Sequence, residues 1–143
     1  MREIVFRGKS IKENKWVYGY YWVNKENHFI KEVIYESAYF KDNLYGKEEI
    51  LNDIEIKTDT VGQYVGLKDK HGIEIYEGDL VKVKNIDYLI GKVVYDKEYL
   101  CYQIEVDEQV IFPVSVCYGD YNELDIEAIG NIWDNPELLK ESD

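Results

Sequence analysis

Gly72 and Gly78 punctuate the run Val61 to Lys84 (VGQYVGLKDKHGIEIYEGDLVKVK) in a way that leaves the chain few folds to choose from. Gln63 to Leu67 and Ile73 to Tyr76 are short segments rich in β-branched and aromatic residues, separated by Lys68-Asp69-Lys70-His71-Gly72, which is the pattern of a hairpin. Gly72 suits the exit of its loop, where a positive φ costs glycine little. Asp69 suits the entry, with its carboxylate placed to accept a backbone N–H two residues on. Tyr76-Glu77-Gly78-Asp79 then forms a second turn. In Leu80-Val81-Lys82-Val83-Lys84 the alternation predicts a half-buried strand with Val81 and Val83 inward and Lys82 and Lys84 in water. A Gly-Asp turn feeding such a strand, followed by Gly91 to Tyr95, matches the start of a small SH3-like barrel.

The longer pattern is more specific. Gly62, Gln63, Tyr64, Gly66, Leu67, Asp69, Gly72, Ile75, Tyr76, Glu77, Gly78, Asp79 and Val81 resemble the signature of the YopX family, proteins carried by bacteriophages and prophages. The opening Arg2 to Lys9, the Trp16-Val17-Tyr18-Gly19 segment, and the closing Ile129 to Ile132 with Asn135 to Leu139 resemble the same family. His71 departs from an expected asparagine, and both residues tolerate a turn. The resemblance implies a mostly β fold with an SH3-like barrel, a phage or prophage origin and a cytoplasmic address. It implies no activity and no catalytic residue.

With 143 residues, 45% hydrophobic and 32% charged, the chain is the size of one ordinary domain and is expected to bury a core without metal or disulfide staples. No apolar run reaches the roughly 20 residues of a membrane span, and the first residues do not read as a signal peptide. Cys101 and Cys117 lie far apart and outside any Cys-x-x-Cys spacing, so both are expected as small buried apolar groups. His28 and His71 are the only histidines, too few to make a zinc site attractive. A net charge of −12 argues against direct nucleic acid binding, which needs a basic face.

The N-terminal part predicts a strand over Arg2 to Arg7 ended by Gly8, then a strand over Lys15 to Val23. On the second, Trp16, Tyr18, Tyr20 and Trp22 share one face and Val17, Gly19, Tyr21 and Val23 the other. With both faces apolar, the strand is either covered on two sides or offers one aromatic row to a partner or a second copy. Only Lys15 and Lys25 flank it in sequence, which weighs against a base-stacking platform. Asn24 to Asn27 reads as a turn and Phe29 to Tyr35 as the return strand; Lys47 to Asn52 reads as a single helical turn. The boundary between an N-terminal β subdomain (1–59) and the barrel (60–143) falls near Asp59. No proline- or glycine-rich linker marks it, so one packed unit is expected.

Further on, strands are expected over Leu89 to Tyr95, over Leu100 to Val106 with Gln103 and Glu105 in water, over Val110 to Val116 and over Glu127 to Trp133. Pro113 lacks an N–H and belongs at an edge or bulge. Asn135 and Pro136 read as the start of a short C-terminal helix.

No phosphate-cradling loop, nucleophile elbow or calcium loop is present. Glu74, Glu77 and Asp79, and then Asp120, Glu123, Asp125 and Glu127, are clustered carboxylates. Acid–base work would require their environments to drive their pKa values apart, and Asp79 is better read as tying down its turn. No cofactor or metal is expected. The resulting expectation is a non-enzymatic module that binds a host or phage protein. The alternatives are an acidic decoy that occupies a nucleic-acid-binding protein, and an enzyme using carboxylates near Glu77 and Asp79.

Overall fold

Each turn expected between Gly62 and Val83 is built by a side chain that accepts backbone N–H groups. Asp69 Oδ1 accepts from His71 N at 2.8 Å and Ile73 N at 2.9 Å, closing the hairpin between β5 (Gly62–Lys68) and β6 (Glu74–Tyr76). Asp79 Oδ2 accepts from Tyr76 N at 2.8 Å, closing the turn into β7 (Asp79–Val83). Gly72 has φ 79°, the left-handed region expected at the loop exit, and Gly78 in the second turn takes φ 84°. The computed structural model describes residues 3–40, 43–83, 89–106, 111–113 and 126–140, and of residues 33–40, 43–52 and 111–113 the backbone only. The expectation for Lys84 and that for Cys117, Asp120, Glu123 and Asp125 lie outside the described residues.

The chain forms two antiparallel sheets and divides into two compact units, Glu3–Gln63 and Tyr64–Asp143. In the first, β1 (Phe6–Lys9), β2 (Trp16–Asn24), β3 (Asn27–Phe40) and β4 (Asn43–Glu55) lie in the order β4-β3-β2-β1, and Gly62 and Gln63 of β5 pair with β1. A two-residue turn at Lys25 and Glu26 joins β2 to β3, with Lys25 at φ 57°. The core of this unit is Val17, Ile30 and Ile56, flanked by Phe6, Tyr21, Ile54 and Val61.

Two expectations fail here. The first strand starts at Phe6 rather than Arg2, and Gly8 does not end it but pairs with Val17 inside it, where a side chain would collide with Ile56. Lys47 to Asn52 is strand, not a helical turn: antiparallel pairing with β3 satisfies its backbone groups, and that pairing outweighs local preference.

In the second unit β8 (Leu89–Asp96), β9 (Cys101–Glu105), β10 (Ile111–Pro113) and β11 (Ile126–Asn131) join β7 in the order β10-β9-β8-β7-β11. Val65, Ile75, Val81, Val83, Val93, Ile104 and Ile126 form the core, with Leu67 and Tyr102 against it. Full burial of such a side chain contributes about 1.5–3 kcal/mol.

The SH3-like barrel does not close among the described residues. β10 stands at one edge with Pro113, which has no N–H to offer a further strand. At the other edge, the β5–β6 loop meets β11: Ala128 N donates to Asp69 Oδ2 at 3.0 Å, and Lys70 N donates to Ile126 O at 3.3 Å. The C-terminal helix is a single 3₁₀ turn, Pro136–Leu139, and Asn135 does not cap it. Its Oδ1 accepts from Asn131 N at 3.2 Å instead, closing the bend after β11. Leu100 lies in the β8–β9 turn at φ 55° and is exposed, so β9 starts at Cys101. Gln103, expected in water, is buried.

Candidate functional site

The signature residues fall where they hold shape. Gly62 and Gln63 pair with β1, and Gly66 takes φ 90° within β5. Ile75, Tyr76 and Val81 are buried, Leu67 packs on the core, and the Tyr64 and Tyr76 rings lie 5.6 Å apart. The Glu74 carboxylate accepts from the Tyr76 hydroxyl at 3.0 Å, while Asp79 is buried in its turn and Glu77 is half-buried beside it. Glu74 thus serves the neighbouring ring and Asp79 the turn.

Burial pushes the Asp69 carboxyl up, but the N–H groups of Ala128, Ile73 and His71, with the field of the His71 ring, outweigh it and hold its pKa below 3.8. A hydrogen bond from Lys70 holds Glu127 below the ordinary glutamate value, aided by the charge of that lysine. Lys70 Nζ and His71 Nε2 lie 3.3 and 3.4 Å from its carboxylate. The other histidine, His28, is hydrogen-bonded through Nδ1 to the Tyr21 hydroxyl, with the two rings stacked at 5.8 Å. Cys101 is half-buried, not fully buried as expected, with Gln103 Nε2 3.8 Å from its sulfur. Among the described residues no three His, Cys, Asp or Glu side chains group as metal ligands.

A cavity of about 520 Å³ in the first unit has Val17 and Ile54 in its lining and Glu13, Glu32, Asp53 and Glu55 among its polar groups. Two of these carboxylates have partners at hand, Glu13 beside Lys15 at 3.6 Å and Asp53 beside Lys31 at 3.8 Å.

The aromatic row of β2 is the more distinctive surface. Val17 faces the core, whereas Tyr18, Tyr20 and Trp22 are 45%, 48% and 36% exposed. Trp16 is half-buried, with the Arg7 guanidinium 4.6 Å and the Lys9 ammonium 5.4 Å from its ring centre. Register explains the neighbours: Lys9 lies opposite Trp16, Arg7 opposite Tyr18, Lys31 opposite Tyr20 and Phe29 opposite Trp22. Trp22 stacks on Phe29 at 4.6 Å, and its Nε1 donates to Asp53 Oδ1 at 3.0 Å. One partner thus holds the indole's face and another its edge, leaving a rigid side chain with area to spare.

A family model described as YopX protein matches residues 5–140. The chain belongs to the YopX family. Among solved structures it is similar to the crystal structure of protein EF1440 from Enterococcus faecalis, with 23% identity and a TM-score of 0.56 over 97% of this chain and 99% of that one. That likeness shows a shared fold. No curated protein matches the chain. Among the described residues of this YopX-family chain, no helix is long and apolar enough to cross a membrane.

Reading along β2 alone finds Lys15 and Lys25 beside the aromatic row, and misses Arg7, Lys9 and Lys31. Those three come from β1 and β3, and only strand register brings them across. The alternation of Arg7 and Lys9 around Gly8 was the available signal, but it has no value until β1 is known to run through that glycine.

Proposed function

We propose that this YopX-family protein is a non-enzymatic binding module of phage or prophage origin, acting in the host cytoplasm through the outer face of β2 on a host or phage protein. The observation that carries the reading is the exposed row Tyr18, Tyr20 and Trp22 on a strand whose other face reaches the core through Val17. Large aromatic side chains with few rotatable bonds give much contact area for little lost entropy, which is why they anchor protein interfaces. The carboxylates of the glycine turns support the same reading, since Asp69 and Asp79 accept backbone N–H groups and stabilise the scaffold.

The test places a photo-cross-linking amino acid at Tyr20 of the full chain in a host cell. The expected result is a discrete adduct with one protein species, lost when Tyr18 and Trp22 are both replaced by serine. Absence of any adduct from Tyr20, together with a measured small-molecule turnover by the purified chain, overturns the reading.

A further inference from the structure

In the first unit the end of β4 returns to the end of β1, although β2 and β3 separate the two strands in the sheet. Ser10 bridges to Ile56, Ile11 N donates to Glu55 O at 3.0 Å, and Lys57 N donates to Lys9 O at 2.8 Å. The sheet is therefore curled, with Val17, Ile30 and Ile56 packed on its inner side. Glu32 lies on that side too, since it pairs with Gly19, which alternates with Val17 along β2. A register shift between Lys31 and Val33 sets it at a bulge, where strands re-aim side chains. Gly19 puts no side chain against it, and the cavity of about 520 Å³ opens between Glu32, Val17, Ile54 and the turn that starts at Ser10.

We infer that this cavity binds a small organic cation, an alkyl chain ending in an ammonium or guanidinium group, with Glu32 as its counter-ion. Glu13 and Asp53 already stand beside Lys15 and Lys31 and take no part in the inference. Glu32 is half-buried and, among the described residues, its carboxylate has no ion pair and no hydrogen bond. A charge held beside apolar side chains without a partner is unfavourable, and an entering cation relieves that. Lys12, the cation in the lining, is exposed, as is Glu55; the two offset each other and leave the charge of Glu32 standing. Ser10 supplies an independent anchor. It is 3% exposed, its Oγ accepts from Lys15 N at 3.2 Å, and its proton has no acceptor among the described residues. That hydroxyl keeps one lone pair and its proton for a ligand. Val17 and Ile54 give an apolar floor for methylene groups, and Ile11 stands exposed in the lining. Such a floor offers no oxygen to a hydrated metal ion. The volume lies within the roughly 300–1,000 Å³ of small-molecule sites. This inner side is opposite the aromatic row, so the inference does not rest on the reading of that row.

Heteronuclear NMR of the full chain tests this, with cadaverine and agmatine as probes and pentanol and magnesium chloride as controls. The expected result is a saturable shift of the Ser10, Val17, Gly19 and Ile54 amides with either amine, at a Kd below about 1 mM. Affinity should fall at least about tenfold in Glu32→Gln and stay unchanged in Glu26→Gln, which lies in the β2–β3 turn. Lysine- and arginine-centred glycine tripeptides form a further arm. Binding of the free amines in preference to the tripeptides assigns the cation to a small molecule, and the reverse assigns it to a basic side chain of a partner protein; each upholds the inference. Equal shifts with pentanol or magnesium, full affinity in Glu32→Gln, or no saturable shift up to about 10 mM amine overturns it. The two controls are read on the wild-type chain, so they decide the matter even where Glu32→Gln fails to fold.

Discussion

Asp69 is the residue on which the second unit's connections converge. Its two oxygens accept from His71, Ile73 and Ala128, so one carboxylate closes a hairpin and joins that hairpin to β11. Replacing it with alanine orphans these donors, and a loss of about 2–4 kcal/mol by chemical denaturation is expected. Because its folded pKa lies below 3.8, its contribution is complete above that value and fades as pH falls through the lower folded value. Stability of Asp69→Asn should therefore vary less with pH below about 4 than that of the wild type. The sequence placed Asp69 at the loop entry through its spacing to His71; the bond to Ala128 has no local signal. Gln103 makes the opposite case. It sits on an alternating strand that reads as wet, yet it is buried, and among the described residues its Oε1 has no hydrogen-bond partner. Gln103→Met should leave stability unchanged or raise it by about 1 kcal/mol in a thermal melt, because a buried acceptor without a donor is unfavourable.

At the scale of turns and strands, three glycines that look alike in sequence have different duties. Gly72 needs only its backbone angle, since nothing lies within 4 Å of where a side chain would start. Gly78 needs both its angle and the space, because a Cβ there would overlap the Trp133 ring. Gly72→Ala should cost about 1 kcal/mol and Gly78→Ala about 3 kcal/mol in denaturant titrations, the difference being the displaced indole. At Gly19 a Cβ would run into the Lys31 carbonyl, which is backbone and cannot move aside. Gly19→Ala should therefore loosen the β2–β3 pairing and speed amide exchange at Tyr20 and Ile30 on that ladder. The strand itself was legible from its period of two, and so was the turn at Lys25 and Glu26. The extent of β3 and β4 was not. Their sequence loses alternation beyond Glu36, and cross-strand hydrogen bonds rather than local preference carry them on.

Across the whole molecule, a charge of −12 makes self-repulsion a general opponent of the folded state. Raising salt from about 0.01 to 0.15 M should raise Tm by a few degrees, since screening relieves that repulsion faster than it weakens exposed pairs such as Lys15–Glu13. A Tm that falls over this range would show that ion pairs outweigh net charge. Composition supports this bulk argument but says nothing about the outer face of β2, where Arg7, Lys9 and Lys31 gather against the overall sign. The residues themselves settled the β class, the two glycine turns with their aspartates, the restriction of Pro113 to an edge or a bulge, and the resemblance to the YopX family, because each depends on local spacing or on a run of matched positions. Tertiary structure alone decided that, among the described residues, the second sheet does not close and the C-terminal ones make a 3₁₀ turn, and that cations flank the aromatic row. Each of these follows from hydrogen bonds or register between residues distant in the chain, and such pairing leaves no periodic trace in either partner.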